Sequence, residues 1–269
     1  MTLPEISAAS GDGRIVTELR DQVYLIGIDR PAKLNGFTPF MLRGLAQAYT
    51  TYERMPEALC ALVHAEGANF TAGLDLPKVA PYLGGDTLLV EPDEIDPFGA
   101  RAPFRSKPVV VAVQGICYTL GIEMMLAADI VIAAADTRFA QIEVRRGLMP
   151  TGGATIRMVE RAGWGSAMRY LLTGDEFDAP TALRLGFIQE IVAPGQQFER
   201  GLALARHIAG QSPLAVSATL ENARLAQREG PAAAAAQFGR TQTRLLGAED
   251  FQEGLRSFRE KRPPRFGKE

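Results

Sequence analysis

The chain has 269 residues, 46% hydrophobic and 22% charged, and 29 Lys plus Arg against 31 Asp plus Glu leave a net charge of −2. That length can bury one large core, or one core with a small satellite. A charge balance so near neutral lacks the basic face expected of a nucleic-acid-binding protein.

Cys60 and Cys117 are too few and too far apart for a disulfide framework or a Cys-x-x-Cys site, and read as reduced core residues in a reducing cytosol. The first seven residues carry neither an export signal nor an arginine-rich presequence. The apolar stretches near 108–113 and 120–135 are broken by Gln114, Glu123 and Asp129, short of the ~18 residues a membrane span requires. A soluble, cytoplasmic protein is expected.

In chain order, residues 23–28 predict a strand stopped by Asp29-Arg30-Pro31, and Thr38-Pro39 predicts the cap of a helix carrying Leu42, Leu45 and Tyr49 on its apolar stripe. Further strands are predicted at 59–63, 108–113 and 130–133, with a helix over 121–128 between the last two. Residues 76–107, rich in Pro, Gly and Asp, form an irregular excursion of the kind that shapes binding sites. Beyond Val192-Ala193-Pro194-Gly195, helices are predicted over 198–210, 213–228, the alanine-rich 231–246, and 249–260. The alternation implies α/β layering over 1–195, followed by a helical region over 196–269.

Two carboxylates stand out. Glu123 interrupts Leu120-Gly121-Ile122-Glu123-Met124-Met125-Leu126, and Glu143 follows Phe139-Ala140-Gln141-Ile142. Carboxylates in such apolar settings are either ordinary exposed side chains or members of one acid/base site. Competing chemistries find no support: His64 and His207 lack metal-ligand spacing, and neither a Gly-x-Ser-x-Gly elbow nor a phosphate-binding glycine loop is present. Thr151-Gly152-Gly153 reads as a tight turn. The turns Ala72-Gly73 and Gln114 to Gly121 allow close backbone approach to a ligand, and the second leads into a helix N-terminus, so free N–H groups there could hold an oxyanion.

Five segments stand in order along the chain: Ile28-Asp29-Arg30-Pro31-Ala32-Lys33-Leu34-Asn35-Gly36, Asn69-Phe70-Thr71-Ala72-Gly73-Leu74-Asp75-Leu76, the run from Lys107-Pro108 to Asp129-Ile130, Thr181 to Ile188, and Glu253 to Arg262. Together they resemble the enoyl-CoA hydratase/isomerase (crotonase) family. The resemblance implies an α/β crotonase-type spiral of ββα units with a C-terminal helical region that assembles a homotrimer or dimer of trimers. It implies an acyl-CoA thioester substrate whose carbonyl is held by the N–H groups of Leu74 and Leu120. Glu123 would then activate water and Glu143 deliver a proton, hydrating a trans-2-enoyl-CoA. It places Lys33, Leu34, Ala72, Asp75, Leu76 and Lys261 against the CoA ester. No metal, no cofactor beyond the substrate's own CoA, no nucleic acid and no membrane is expected.

The chain departs from the family pattern in two places. Thr119, Leu120 and Gly121 stand where the family has three glycines, and Arg145 and Arg146 follow Glu143 where apolar or small residues are usual; both arginines are expected at the surface. The 77–106 loop has no assignable pattern, so the acyl group is not readable from it. Double-bond isomerisation on Glu143 alone, and a non-catalytic RNA-binding or scaffolding role, are the alternatives to hydration.

Overall fold

The computed structural model describes residues 9, 11–83 and 89–267. The N-terminal seven residues read for targeting signals lie outside the described residues. Strands β1 (Arg14–Arg20), β2 (Val23–Asp29), β3 (Cys60–Ala65), β4 (Val109–Val113), β5 (Ile116–Tyr118), β6 (Ile130–Ala134), β7 (Arg138–Ala140), β8 (Phe177–Asp178) and β9 (Glu190–Val192) form two sheets. The larger runs β1-β2-β3-β4-β6-β9 and is parallel except for the antiparallel β1–β2 pair. The smaller runs β5-β7-β8.

The helices are α1 (Pro39–Arg54), α2 (Leu76–Val79), α3 (Leu120–Ala127), α4 (Ala154–Ala162), α5 (Trp164–Thr173), α6 (Ala179–Arg184), α7 (Gln197–Ala209), α8 (Pro213–Glu229), α9 (Pro231–Ala236), α10 (Phe238–Leu246) and α11 (Glu249–Glu260). The Thr38 side chain caps α1 by accepting from Met41 N–H, with Pro39 in the first turn.

Three successive passes share one plan. After β3 the chain makes a bridge from Thr71 to Cys117 and enters α2; after β4 it makes β5 and enters α3; after β6 it makes β7 and, past a turn, enters α4. Each pass contributes a strand to the large sheet, a strand or bridge to the small one, and a helix, which is the expected spiral of ββα units. The turns that precede the helices therefore stack beside one another.

All five residues of β4 are buried, as befits an inner parallel strand covered on both faces. Its alternation divides one apolar run between two cores. Val110 and Ala112 pack with Leu62 against Leu202, Ala205 and Ala209 of α7, whereas Val109, Val111 and Val113 join the larger core with Leu45 of α1 and Ile122 of α3. Thus α7, on the C-terminal side of the 195/196 boundary, covers the back of the sheet. Gly201 permits that approach, since a Cβ there would lie 2.9 Å from Leu62 Cδ1.

Some elements differ from the sequence expectation. β1 is an edge strand whose residues are mostly exposed, so it shows no apolar alternation, and β5, β7, β8 and β9 are too short to carry a period. The single helix expected over 231–246 is two, separated at Gln237. Lys261 lies just past α11 as a left-handed cap with φ 52°.

Candidate active site

Glu123 sits in the first turn of α3, among buried Leu120, Ile122 and Met124, and is itself only 4% exposed. A carboxylate there needs donors. It finds them in the chain leading into α4: Oε1 accepts from Gly152 N–H at 2.7 Å and Ala154 N–H at 3.2 Å. Glycine is required at 152 by space, because a Cβ would come within 2.7 Å of Glu123 Oε2. Arg157 fastens this turn from behind, donating to Gly152 O and to Gly99 O, each at 3.1 Å.

Glu143 opens a 3-10 turn, Glu143–Arg146, directly after β7. Its Oε2 is buried and has no hydrogen-bond partner among the described residues. Burial pushes the Glu143 carboxyl up to about 7. Burial likewise pushes Glu123 up to about 7; repulsion from Glu143 adds to this, while the N–H bonds from Ala154 and Gly152 oppose it. Both carboxyls are thus raised to about 7, and backbone N–H groups oppose the rise at each: those of Ala154 and Gly152 at Glu123, and its own at Glu143.

Two turns supply backbone donors. Around Gly73 (φ 101°), Phe37 N–H donates to Gly73 O and Asp75 N–H donates to Phe37 O. Between them, the Leu74 N–H donates to no acceptor among the described residues. At the start of α3, Thr119 N–H donates to Ala140 O, while the Leu120 N–H, in the first turn of the helix, is likewise without an acceptor. Thr119 holds φ 47° and ψ −112°, a strained conformation for a β-branched residue. Its Oγ1 occupies the space where a Cβ on Gly73 would fall, 1.9 Å away, so the two turns are packed in direct contact.

These groups line one cavity of about 300 Å³. Ala72, Leu74, Leu76 and Leu83 border it on one side, Thr119, Leu120 and Glu123 at the start of α3, and Ile142, Glu143, Arg146, Leu148, Met149, Pro150 and Thr151 on the other side. Of the residues singled out in the sequence, Ala72, Leu74, Leu76, Leu120, Glu123 and Glu143 therefore meet. Lys33, Leu34, Asp75 and Lys261 do not line the cavity. The Asp75 carboxylate is paired with the buried Arg30 at 2.8 Å, and Arg30 also donates to Gly36 O, so the side chain braces the 72–75 turn. Leu34 supports the same turn by accepting from Ala72 N–H at 2.9 Å.

Arg145 and Arg146 are both exposed, as expected, but they diverge. Arg145 reaches Asp175 at 3.2 Å, whereas Arg146 joins the cavity lining. Leu148 and Met149, exposed and without helical or strand periodicity, were invisible as lining residues from sequence; the nearby Gly-Gly pair was the available signal. Among the described residues no group of three or more His, Cys, Asp or Glu is arranged to hold a metal ion. Two carboxyls that bind protons near neutrality, beside two unpaired N–H donors, can polarise a carbonyl and move protons at neighbouring atoms.

The comparisons agree with that geometry. Residues 18–269 match the family model described as enoyl-CoA hydratase/isomerase. The chain is 30% identical over 260 residues to "Enoyl-CoA hydratase EchA19" of Mycobacterium tuberculosis, covering 96% of this chain and 97% of that protein. It is 28% identical to the "2,3-dehydroadipyl-CoA hydratase" of Escherichia coli, covering 94% and 98%. A crystal structure of a probable enoyl-CoA hydratase/isomerase from Mycobacterium abscessus superposes with a TM-score of 0.92 at 46% identity, covering 95% of this chain and 98% of that one. With the fold, the spiral of turns and a family match over nearly the whole length, the chain belongs to the enoyl-CoA hydratase/isomerase family.

Proposed function

We propose that the protein adds water across the double bond of a trans-2-enoyl-CoA thioester. The N–H groups of Leu74 and Leu120 form the oxyanion hole, and an enolate oxygen held by such donors is stabilised by about 3–4 kcal/mol for each strong one. Glu123, whose charged form two backbone donors favour, takes a proton from water as the oxygen bonds to the β-carbon. Glu143, half-buried and with its Oε2 unpartnered among the described residues, gives a proton to the α-carbon. One water is consumed, and proton exchange between the two carboxyls restores the starting state. The observation that carries this reading is the pair of glutamates, Glu123 buried and Glu143 half-buried with its Oε2 unpartnered, in the same cavity as two N–H groups without an acceptor among the described residues.

The substrate's CoA is the only cofactor-like group this reading requires. Lys33 and Lys261, both exposed, are assigned to the CoA phosphates; Lys261 would do so from a neighbouring subunit in a homotrimer or dimer of trimers. Exposed apolar side chains, Phe258 at 84% and Trp164 at 71%, support burial in such an assembly. No helix among the described residues is long and apolar enough to cross a membrane, and a cytoplasmic location is part of this proposal.

The test is a set of 2-enoyl and 3-enoyl CoA esters followed by mass spectrometry, in which gain of one water marks hydration. Glu123→Gln and Glu143→Gln should each lower kcat by several orders of magnitude with little change in ester affinity, because both act in the transition state. Full activity in the Glu123 variant would remove it from the mechanism. Loss of turnover in Glu143→Gln, with 3-enoyl to 2-enoyl conversion intact in Glu123→Gln, would make the protein an isomerase.

A further inference from the structure

Arg146 is the one cationic side chain among the described residues that line the cavity. Its place follows from the 3-10 turn Glu143–Arg146, in which side chains three positions apart lie on the same face. Arg146 therefore shares the cavity face with Glu143, while Arg145 departs to Asp175 and to Thr173 O, each at 3.2 Å. The Arg146 side chain makes no hydrogen bond or ion pair with any described residue, Glu143 included. The same cavity lining includes the apolar Leu74, Leu76, Leu83, Leu148 and Met149. A guanidinium in that setting presents a planar set of donors suited to a carboxylate.

We propose that Arg146 selects enoyl-CoA thioesters whose acyl chain ends in a carboxylate. This rests on the hydratase reading for the position of the acyl chain. The α-carbon is served by Glu143, and one 3-10 turn, about 6 Å of rise, separates Glu143 from Arg146 along the backbone. The second carboxylate thus belongs at the far end of a short acyl chain and not next to the double bond.

Two 2-enoyl-CoA esters of equal chain length, one ending in a methyl group and the other in a carboxylate, test the assignment. The wild-type protein should show the higher kcat/KM on the carboxylate-ended ester, a preference that weakens as salt is raised. Arg146→Met should reverse it, lowering kcat/KM on the carboxylate-ended ester about tenfold or more and raising it on the methyl-ended one. Arg146→Lys should recover part of the preference. The same ratio of the two esters in wild type and both variants overturns the inference. So does an equal loss on both esters that disappears with pantetheine thioesters, since the guanidinium would then serve the CoA phosphates. Calorimetric binding of the corresponding saturated esters separates this question from turnover. If neither enoyl ester is hydrated but the carboxylate-ended saturated ester binds more tightly through Arg146, the hydratase reading fails and the assignment of Arg146 stands.

Discussion

A buried carboxyl couples the active site to stability. In the folded protein Glu123 titrates near 7, against an ordinary value of 4.5, so folding favours its protonated form. The stabilising contribution is complete below the unfolded value and is lost as pH rises through about 7. Glu123→Gln keeps an acceptor for Gly152 and Ala154 while removing the charge. It should leave the melting temperature nearly unchanged at pH 4.5 and raise it at pH 8, by up to about 3 kcal/mol of stability. Equal effects at both pH values would show that burial does not raise the proton affinity of this carboxyl. Thr119 stores strain of a different kind. Relieving a positive-φ β-branched residue returns about 1–3 kcal/mol, while glycine's freedom in the unfolded chain takes back about 1. Thr119→Gly should therefore stabilise the fold by roughly 1 kcal/mol in thermal unfolding, and a lower melting temperature would mean that the Thr119 contact with Gly73 outweighs the strain. The sequence marked Glu123 and Glu143 because a charge interrupting an apolar run is visible without coordinates. It left Arg146 undistinguished from Arg145, since only the 3-10 geometry sends the two side chains different ways.

Among elements, a charge cluster ties α8 to the core. Arg105 holds Asp129 through two bonds of 2.7 and 3.0 Å, Arg224 of α8 reaches Asp129 at 3.0 Å and also donates to Arg105 O, and Val109 N–H donates to Asp129 at 2.8 Å. Burial alone would raise the Asp129 pKa, but the two guanidinium groups outweigh it and hold the carboxyl below its usual range. Asp129→Asn leaves Arg105 and Arg224 without their shared counter-charge and should cost about 3 kcal/mol in urea unfolding. A change below about 0.5 kcal/mol would place the cluster with solvent-screened surface pairs. No sequence pattern announced this connection: residues 105, 129 and 224 meet only after the chain has wound through β6 and back across the sheet. The strand at 108–113 was legible for the opposite reason, because a run of buried valines records its own environment.

For the whole molecule, the role proposed for Lys261 would link assembly to binding. Lys261 caps α11 and does not line the cavity, and in the proposed role it reaches the CoA phosphates from a neighbouring subunit. Lys261→Glu should raise the apparent KM for CoA thioesters several-fold, equivalent to about 1–2 kcal/mol, with little effect on pantetheine thioesters or kcat. The difference should shrink with added salt. An equal response of both ester types would make Lys261 a surface charge and direct attention to Lys33 and Arg262, although Arg262 is already paired with Glu253.

The sequence by itself determined the α/β layering, the main buried strands, most of the helices and the two glutamates, because periodicity and misplaced polarity are local properties. It also carried the family resemblance, through five ordered segments whose spacing survives in the linear chain. Tertiary structure alone decided which residues share the cavity. Glu123 acquires its donors from residues 152 and 154, the Leu74 and Leu120 N–H groups are left without an acceptor among the described residues in two turns that pack together, and Asp75 is paired with Arg30. These outcomes depend on contacts between segments tens of residues apart, where burial and hydrogen-bond supply are set by neighbours that no local window contains.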